Sequence, residues 1–366
     1  MTKSPKRHIV VDTDMGVDDA AAVAWLVTQK DNPIELVGVS AVWGNTLVEH
    51  AANNAAALLG ALGFQNVPIV IGEASPVAGT PNRVGAVIHG IDGLWGSAKD
   101  HAGSAIDRDL VGFYRGIVAK HPGATLLALG PLTNLSRLLH AAPDVLRQFG
   151  AIVVLGGAKH EGSMTPVAEA NFWHDPEAAE SVLAARLPIV LITRDAHRSF
   201  ALQRADLDAM SDATSRAARF LASPAKAYAR VTEGFGEAIG FPDIVAAMYA
   251  VDPSIGRRVL PALVKVIAGN AGLARGQSII GLTRTERLTM IESGSALLTL
   301  IDRLLRKEQL DVPGAIDAIL NREPDNANVV LEIDEGRVRE WFLRVILAED
   351  AMEATGSAPT IPSTAM

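Results

Sequence analysis

The sequence contains no cysteine among its 366 residues, and only 5% of its residues are aromatic. The absence of cysteine excludes disulfide frameworks, thiolate metal sites and cysteine nucleophiles. Basic residues are also in the minority, with 33 Lys and Arg against 41 Asp and Glu and a formal net charge of −8. This charge balance lacks the excess of basic residues that nucleic-acid binding requires, so we expect no nucleic-acid partner.

Long hydrophobic runs are missing as well. The longest ones, such as Thr125–Gly130 and Leu187–Thr193, fall well short of the roughly 18 residues that indicate a transmembrane helix. Near the start of the chain, the apolar stretch Ile9–Val11 is shorter than the core of a secretory signal, which needs about 7 residues or more. We therefore expect a soluble, cytoplasmic protein with no membrane partner.

What the sequence does have is a regular alternation of short apolar, β-branched runs and longer Ala- and Leu-rich stretches. This alternation predicts an α/β fold with a mostly parallel central sheet flanked by helices. Sheets of this kind bind ligands beyond the carboxyl ends of their strands, so the active site is expected there. The predicted strands are His8–Asp12, Glu35–Val42, Val67–Ile71, Thr125–Leu129, Ala151–Leu155, Pro188–Ile192 and Val329–Ile333. The predicted helices include Asp18–Thr28, Thr46–Leu62, Leu110–Lys120, Leu132–Ala141, Pro176–Ala185, Asp243–Val251 and Glu335–Ala348.

The chain shows no clear linker, and we predict one large domain over residues 1–350. A helical insertion is expected at about residues 285–325, where Ser295–Asn321 carries a heavy Leu and Ile face. Helix packing is the favoured interpretation of that face, and an oligomer contact is the alternative. The segment 351–366 is small, polar and contains prolines, which predicts a disordered tail.

The most informative stretch is DTDMGVDD, which directly follows the first apolar strand. It places four carboxylates, those of Asp12, Asp14, Asp18 and Asp19, within eight residues. Converging carboxylates raise one another's pKa unless a cation lies among them. Hard oxygen ligands without cysteine favour Ca²⁺ or Mg²⁺. An aspartate-rich cap on a surface helix is the alternative interpretation.

Polar groups also follow the later strands. Asn45 comes after the second strand, in WGN, and the Gly-Pro break of GPLTN leaves a carbonyl near Leu129 without a regular partner. Glu169 and Asn171 are two residues apart, so in an extended segment they share a face. Asp243 begins an apolar helix. Each of these residues is a candidate ligand of a cation or of a polar substrate.

Together these motifs resemble the inosine-uridine-preferring nucleoside hydrolase family. DTDMGVDDA is followed by WGN, IHGIDG, GPLTN, VAEANFWHDPEAA and PDIVAAMYAVDP, in the order and approximate spacing of the family. The resemblance covers roughly Lys6 to Asp252 and implies a nucleoside hydrolase-like fold with a Rossmann-like core. It also implies hydrolysis of the N-glycosidic bond of ribonucleosides to ribose and free base, and assembly into homodimers or homotetramers.

The resemblance further implies a role for each matching residue. One Ca²⁺ would be bound by Asp14, Asp19, the backbone carbonyl of Leu129 and Asp243, and Asp14 would also activate the metal-bound water as general base. Asp12 would orient the cluster from behind. The residues that would bind the ribose are Asp18, Asn45 and Asn171 at the 2′- and 3′-hydroxyls and Glu169 at the 5′-hydroxyl.

Two positions depart from the family pattern. Many members carry a histidine directly before the last metal aspartate, where it can protonate the leaving base, and here that residue is Pro242. A second family position, which is usually asparagine and lies close to the 5′-hydroxyl, aligns with Ser163 here. His89, in IHG, is then the remaining candidate for the catalytic acid, and a histidine of the pocket wall is the alternative reading.

Two other functions share part of this pattern. A haloacid-dehalogenase-like phosphatase also places D-x-D after its first strand, but it leaves Asp18, Asp19 and the GPLTN segment unexplained. A divergent, non-catalytic ribonucleoside-binding protein would account for Pro242 and Ser163, yet an unused cluster of carboxylates is electrostatically costly.

Overall fold

The structure, a computed structural model, describes residues 6–30, 34–98, 106–306 and 309–350. The predicted tail, residues 351–366, lies outside these ranges. The strands are β1 Arg7–Thr13, β2 Ile34–Ala41, β3 Ile69–Ile71, β4 Ile106–Asp107, β5 Thr125–Ala128, β6 Ala151–Leu155, β7 Ile189–Ile192, β8 Gly256–Val266, β9 Ser278–Gly281 and β10 Ala327–Ile333.

Helices cover both faces of the sheet formed by these strands. The helices before residue 200 are α1 Val17–Thr28, α2 Val48–Leu62, α3 Ala86–His89, α4 Leu110–Lys120, α5 Thr133–Ala141, α6 Pro143–Leu146, α7 Ala170–His174, α8 Pro176–Ala184 and α9 Arg194–His197. The later ones are α10 Arg204–Asp212, α11 Arg216–Gly234, α12 Pro242–Val251, α13 Arg284–Met290, α14 Ser295–Leu305, α15 Val312–Leu320 and α16 Glu335–Ile346. In the part of the chain that is described, no helix combines the length and apolar character needed to cross a membrane.

The ten strands form one sheet with the order β4-β3-β2-β1-β5-β6-β7-β10-β8-β9. Every neighbouring pair from β4 to β10 is parallel, and β8 alone runs against its two neighbours. Because β1, β2, β5, β6 and β7 are parallel, their carboxyl ends lie at one edge of the sheet. This edge carries the segments that follow each strand, which are the segments where candidate site residues were predicted.

Alternation along each strand divides the core into two layers. Ile9 and Val11 of β1 pack with α1, α2, α11, α12 and α16, whereas Val10 packs on the opposite face with α4, α5, α6 and α8. Side chains on successive strand residues point to opposite faces, so a strand buried on both faces is apolar throughout. This explains why β1 reads as a continuous apolar run in the sequence.

The predicted α/β class with a mostly parallel sheet is confirmed, and the six strands predicted before residue 200 match β1, β2, β3, β5, β6 and β7 to within two residues at either end. The antiparallel strand β8 was not predicted because Pro261 lies in its middle, and proline is disfavoured in a strand with two partners. Pro261 is paired with Asn328 of β10, and the pairing of β8 with β9 begins only at Leu263. The proline therefore lies where only one side of β8 is paired.

The segment at about 285–325 contains α13, α14 and α15. These helices pack with β8 around a small apolar cluster of their own, which includes Leu263, Leu288 and Leu300. One face of α14 remains exposed, with Leu298 67% and Leu305 76% accessible to solvent. Part of the leucine-rich face is therefore packed in this cluster, and part of it is exposed to solvent.

Candidate active site

The turn between β1 and α1 is held by hydrogen bonds to Asp19. The hydroxyl of Thr13 donates to Oδ1 of Asp19 (2.5 Å), and the backbone N–H of Gly16 donates to Oδ2 (2.8 Å). Between them, Met15 is fully buried with a φ of 37°, a conformation that a side chain other than glycine rarely adopts. Backbone strain of this kind persists only where the surroundings impose it. The turn thus holds the carboxylate of Asp19 in one orientation.

Three carboxylates converge beside this turn. Oxygen atoms of Asp18, Asp19 and Asp243 lie within 4.8 Å of one another, and all three residues are buried. Asp243 comes from the first turn of α12, which packs against α1. Its Oδ1 atom is buried and has no hydrogen-bond partner among the described residues. A buried, unpaired carboxylate oxygen that faces two other carboxylates indicates a cation site.

Asp14 lies next to this group and is held from the β2 side. Its Oδ2 accepts the backbone N–H of Asn45 (2.7 Å), and its Oδ1 accepts the Asn45 side-chain amide (3.2 Å). The same amide donates to Oδ2 of Asp19 (3.2 Å). A Cβ atom at Gly44, which has a φ of 157°, would lie 2.1 Å from Oδ2 of Asp14. Only glycine lets the backbone approach this carboxylate so closely.

Burial sets the acidity of the cluster. Burial raises the pKa of both Asp14 and Asp243 well above the usual range, and the neighbouring carboxylates raise both further. Burial and the charge of Asp18 raise the pKa of Asp19 to about 6. Burial likewise raises the pKa of Asp18, and its hydrogen bond with Asp243 acts in the opposite direction. A divalent cation among these groups would remove the cost of ionising them, and an all-oxygen donor set suits a hard cation.

Asp12 lies behind the cluster and makes a different set of contacts. One of its oxygens, Oδ2, accepts hydrogen bonds from Ser40, from Tyr114 (3.2 Å) and from the amide of Asn134 (2.7 Å). Burial raises the pKa of Asp12 to about 6. Its second oxygen is buried with no partner within the described ranges. Asp12 therefore connects β1 to β2, α4 and α5 instead of joining the three convergent carboxylates.

The segment after β6 brings three further predicted residues together. The amide of Asn171 donates to the carbonyls of Leu129 (2.6 Å) and Leu155 (3.0 Å). Glu169 caps α7 and accepts backbone N–H groups from Gly157 (2.9 Å), Asn171 (3.0 Å) and Phe172 (3.2 Å). Burial raises the pKa of Glu169, and these three hydrogen bonds act in the opposite direction. The carbonyl of Leu129 thus faces the site and already has one partner.

Ser163 lies beside the same cap. Its hydroxyl accepts the backbone N–H of Ala170 (3.0 Å), which is the residue after Glu169. Ser163 therefore fixes the loop before α7. Its own O–H and a second lone pair remain for another partner.

His89 packs over the start of α1. Its Nδ1 atom accepts the backbone N–H of Val17 (3.2 Å) and lies 3.6 Å from Oδ1 of Asp18. Burial lowers the pKa of His89 to about 4, so the ring is neutral at neutral pH. Because Nδ1 accepts a hydrogen bond, the proton of the neutral ring is assigned to Nε2. The ring stacks at a tilt on Tyr228 of α11, with 5.4 Å between centroids.

Three residues at this edge were not assigned from the sequence, namely Thr13, Asn134 and Arg194. Thr13 holds Asp19, and Asn134 holds Asp12. Arg194 follows β7 after one intervening residue, and its charge acts on both Glu169 and Tyr228. Thr13 ends its strand and Arg194 follows its strand within two residues, so both lie in the zone where an open α/β sheet binds ligands. Their positions at the carboxyl ends of strands could therefore have identified both residues as site candidates from the sequence.

The chain is similar in sequence to proteins of one family. The family model described as "Inosine-uridine preferring nucleoside hydrolase" matches residues 9–340. The chain is 31% identical over 223 residues to "Probable uridine nucleosidase 1" of Oryza sativa subsp. japonica, which covers 60% of this chain and 68% of the relative. It is 36% identical over 192 residues to "Non-specific ribonucleoside hydrolase RihC" of Salmonella paratyphi B, which covers 51% of this chain and 61% of that protein.

Solved structures share the fold over nearly the whole length. A plant nucleoside hydrolase, the PpNRh1 enzyme, superimposes with a TM-score of 0.77 at 23% sequence identity, covering 94% of this chain and 100% of the other. At that level of identity the likeness establishes the architecture alone.

Proposed function

Because the chain belongs to the inosine-uridine preferring nucleoside hydrolase family, we propose that it hydrolyses the N-glycosidic bond of ribonucleosides and releases ribose and a free base. Membership confirms the resemblance inferred from the ordered motifs and places the protein among the nucleoside hydrolases. The observation that carries the proposal is the convergence of Asp18, Asp19 and Asp243, with an unpaired buried oxygen on Asp243.

The proposed cofactor is Ca²⁺, held by Asp14, Asp19, Asp243 and the carbonyl of Leu129. The oxygen-only donor set and the raised pKa values of the aspartates support a hard divalent cation at this place. Bound there, the ion would act as a Lewis acid and as a template for the ribose diol. Asp18 is close enough to Asp19 and Asp243 to share in the cation or to accept a ribose hydroxyl.

Asp14 is the proposed general base. Its two oxygens are held by Asn45, so the carboxylate has a fixed direction toward the cluster. The buried carboxylate next to the aspartate cluster would accept the proton of the attacking water. Asn45, Asn171 and Glu169 are the residues proposed to hold the ribose, and such positioning is worth up to about 7–11 kcal/mol in favourable cases.

The leaving base needs a hydrogen-bond donor or a proton, and His89 is the proposed group. With a pKa lowered to about 4, the ring is a weak proton source at neutral pH, but its Nε2–H can donate a hydrogen bond to a base atom that gains charge. The backbone N–H of Val17 fixes this tautomer. Pro242 has no side-chain donor that could replace it.

Replacing His89 with alanine is therefore expected to lower kcat for a ribonucleoside by about 10²-fold, the loss typical of one donor aimed at developing charge. Because the neutral ring is already the main form above pH 5, the pH profile of the wild-type protein should show no loss of activity from His89 between pH 6 and 8. Steady-state kinetics on the variant and on a His140→Ala control, which changes a histidine at the end of α5, measure the difference. An unchanged kcat in the His89 variant would assign this residue to the pocket wall.

A reducing-sugar assay over a panel of purine and pyrimidine nucleosides, with and without a chelator, tests the activity. We expect ribose release from at least one ribonucleoside, and a rate at least about 10²-fold lower for its 2′-deoxy analogue, which lacks one cation- and Asn-binding hydroxyl. Equal rates for the two analogues would contradict the proposed ribose contacts. Binding of nucleosides without turnover at any pH, with Ca²⁺ present, would favour the non-catalytic alternative.

A further inference from the structure

Arg194 is the first residue of α9 and follows the end of β7 within two residues. Its backbone N–H donates to the carbonyl of Gly157 (2.9 Å), and the N–H of Gly157 donates to Glu169 (2.9 Å). Through these two hydrogen bonds, Arg194 is placed beside the carboxylate proposed to bind the 5′-hydroxyl of the ribose.

The guanidinium of Arg194 has few partners within the described residues. Its Nε atom is buried and has no hydrogen-bond partner there. The nearest carboxylate is that of Glu237, with an oxygen 3.8 Å from one terminal nitrogen, which exceeds a hydrogen-bond distance. The Glu237 side chain is 65% exposed, so solvent screens this pair. The Arg194 side chain as a whole is half-buried, with 20% of its surface accessible to solvent.

Nearby acidic groups are already engaged elsewhere. Asp195 accepts the backbone N–H groups of Lys159 (2.6 Å) and His160 (3.2 Å) and pairs with the His160 ring (2.6 Å). Glu161 pairs with Arg198 (2.6 Å). The Nε–H of Arg194 is a buried donor, and a buried donor without a partner is costly unless a ligand accepts its hydrogen bond.

The charge of Arg194 acts on two residues of the candidate site. Burial raises the pKa of Glu169 and of Tyr228, and the Arg194 charge acts against both shifts. Glu169 caps α7, whereas Tyr228 lies on α11 next to His89. The geometric observations that single out Arg194 on the Glu169 side of the site are its backbone hydrogen bond to Gly157 and its buried, unpaired Nε atom.

We propose that Arg194 is a substrate-binding residue that donates a hydrogen bond to O5′ of the ribose and so selects nucleosides with an oxygen at C5′. This inference rests on the proposed ribonucleoside hydrolysis. The 5′-hydroxyl then has two partners of opposite kind, since it donates its hydrogen to Glu169 and accepts from Arg194. A neutral hydroxyl suits this pair better than an anionic group, because Glu169 and the aspartate cluster would repel a second charge.

The test is a two-by-two comparison of protein and substrate. kcat/KM is measured for uridine or inosine, whichever is cleaved faster, and for its 5′-deoxy analogue, in the wild-type protein and in Arg194→Met. The wild-type preference for the 5′-hydroxyl compound is expected to exceed that of the variant by about 10–100-fold, as for a hydrogen bond from a charged donor. Arg194→Lys, which keeps a charged donor, should restore part of the preference.

Arg198→Met serves as the matched control, because Arg198 lies one turn further along the chain and pairs with Glu161. It should keep the wild-type preference. If Arg194→Met slows both substrates by the same factor, the residue has only a structural role and the inference is overturned while ribonucleoside hydrolysis stands. If the wild-type protein cleaves no nucleoside, the proposed function fails and this inference fails with it.

Discussion

Replacing Asp14 with alanine is expected to lower kcat for ribonucleoside hydrolysis by at least about 10³-fold, because the change removes a general base and a cation ligand together. The side chain is buried, points from the end of β1 and has both oxygens fixed by Asn45. No other carboxylate in the described residues accepts both hydrogen bonds of Asn45, so none is positioned to replace it.

The loss should not come from unfolding. Burial and the neighbouring carboxylates raise the pKa of Asp14, so its ionised form is unfavourable in the cation-free protein. Alanine removes that charge, and the melting temperature of the cation-free variant is expected to equal or exceed that of the wild type. Asp208→Ala, at an exposed residue that pairs with Lys226 (3.2 Å), is the control and should leave kcat unchanged. A variant at Asp14 that keeps substantial activity would overturn the proposed mechanism.

Removing divalent cations with a chelator is expected to abolish turnover and to lower the melting temperature by about 3–4 °C, given a cation present at about 100 times its Kd. Four buried aspartates face one another at the carboxyl edge of the sheet, and the folded chain supplies no buried cation to neutralise Asp18, Asp19 and Asp243 in the part of the structure that is described. Calcium should restore both properties, and this is measured by activity and by thermal unfolding.

The stability of the cation-free protein should also depend on pH, and it should fall as the pH rises. Burial raises the pKa of Asp14 and Asp243 well above 3.8, so the folded, cation-free protein binds protons more tightly than the unfolded chain. Their contribution to stability is present at low pH and is lost as the pH rises through the folded pKa values. The lowered pKa of a buried histidine such as His89, about 4, has the opposite slope, but only below about pH 6.5.

The cation-free protein is thus expected to lose melting temperature as the pH rises through about 6, the raised pKa of Asp19, and above it, while the calcium-bound protein changes less. Magnesium at the same concentration provides a comparison of cations. A melting temperature that does not respond to chelation at pH 8 would argue against a cation site in the aspartate cluster, whatever the activity.

Much of the site could be predicted because its parts are local in sequence. Asp12, Asp14, Asp18 and Asp19 lie in one strand-to-helix turn, and a buried parallel strand followed by Gly16 and an Ala-rich helix has a recognisable pattern. Parallel strands bring their carboxyl ends to one edge, so Asn45, Leu129 and Glu169 could be assigned to the same edge without coordinates.

Other features could not be predicted in this way. Asp243 alone looks like a helix cap, and its contact with Asp18 depends on the packing of α12 against α1, which are more than 200 residues apart in the chain. β8 was not predicted because proline is disfavoured inside strands. Pro261 is tolerated in β8 because the strand is paired only with β10 at that position. The role of Arg194 depends on which acidic groups are already paired around it, and only the folded chain decides that.

By itself, the sequence determined the α/β class, the edge of the sheet that carries the site and an oxygen-only set of candidate ligands without any thiol. These properties follow from periodicity and residue type, which act over a few residues. The tertiary structure decided which carboxylates meet, how burial raises the pKa of Asp14 and lowers that of His89, and where an arginine is left with an unused donor. Burial and long-range contact are properties of packing, so no local pattern encodes them.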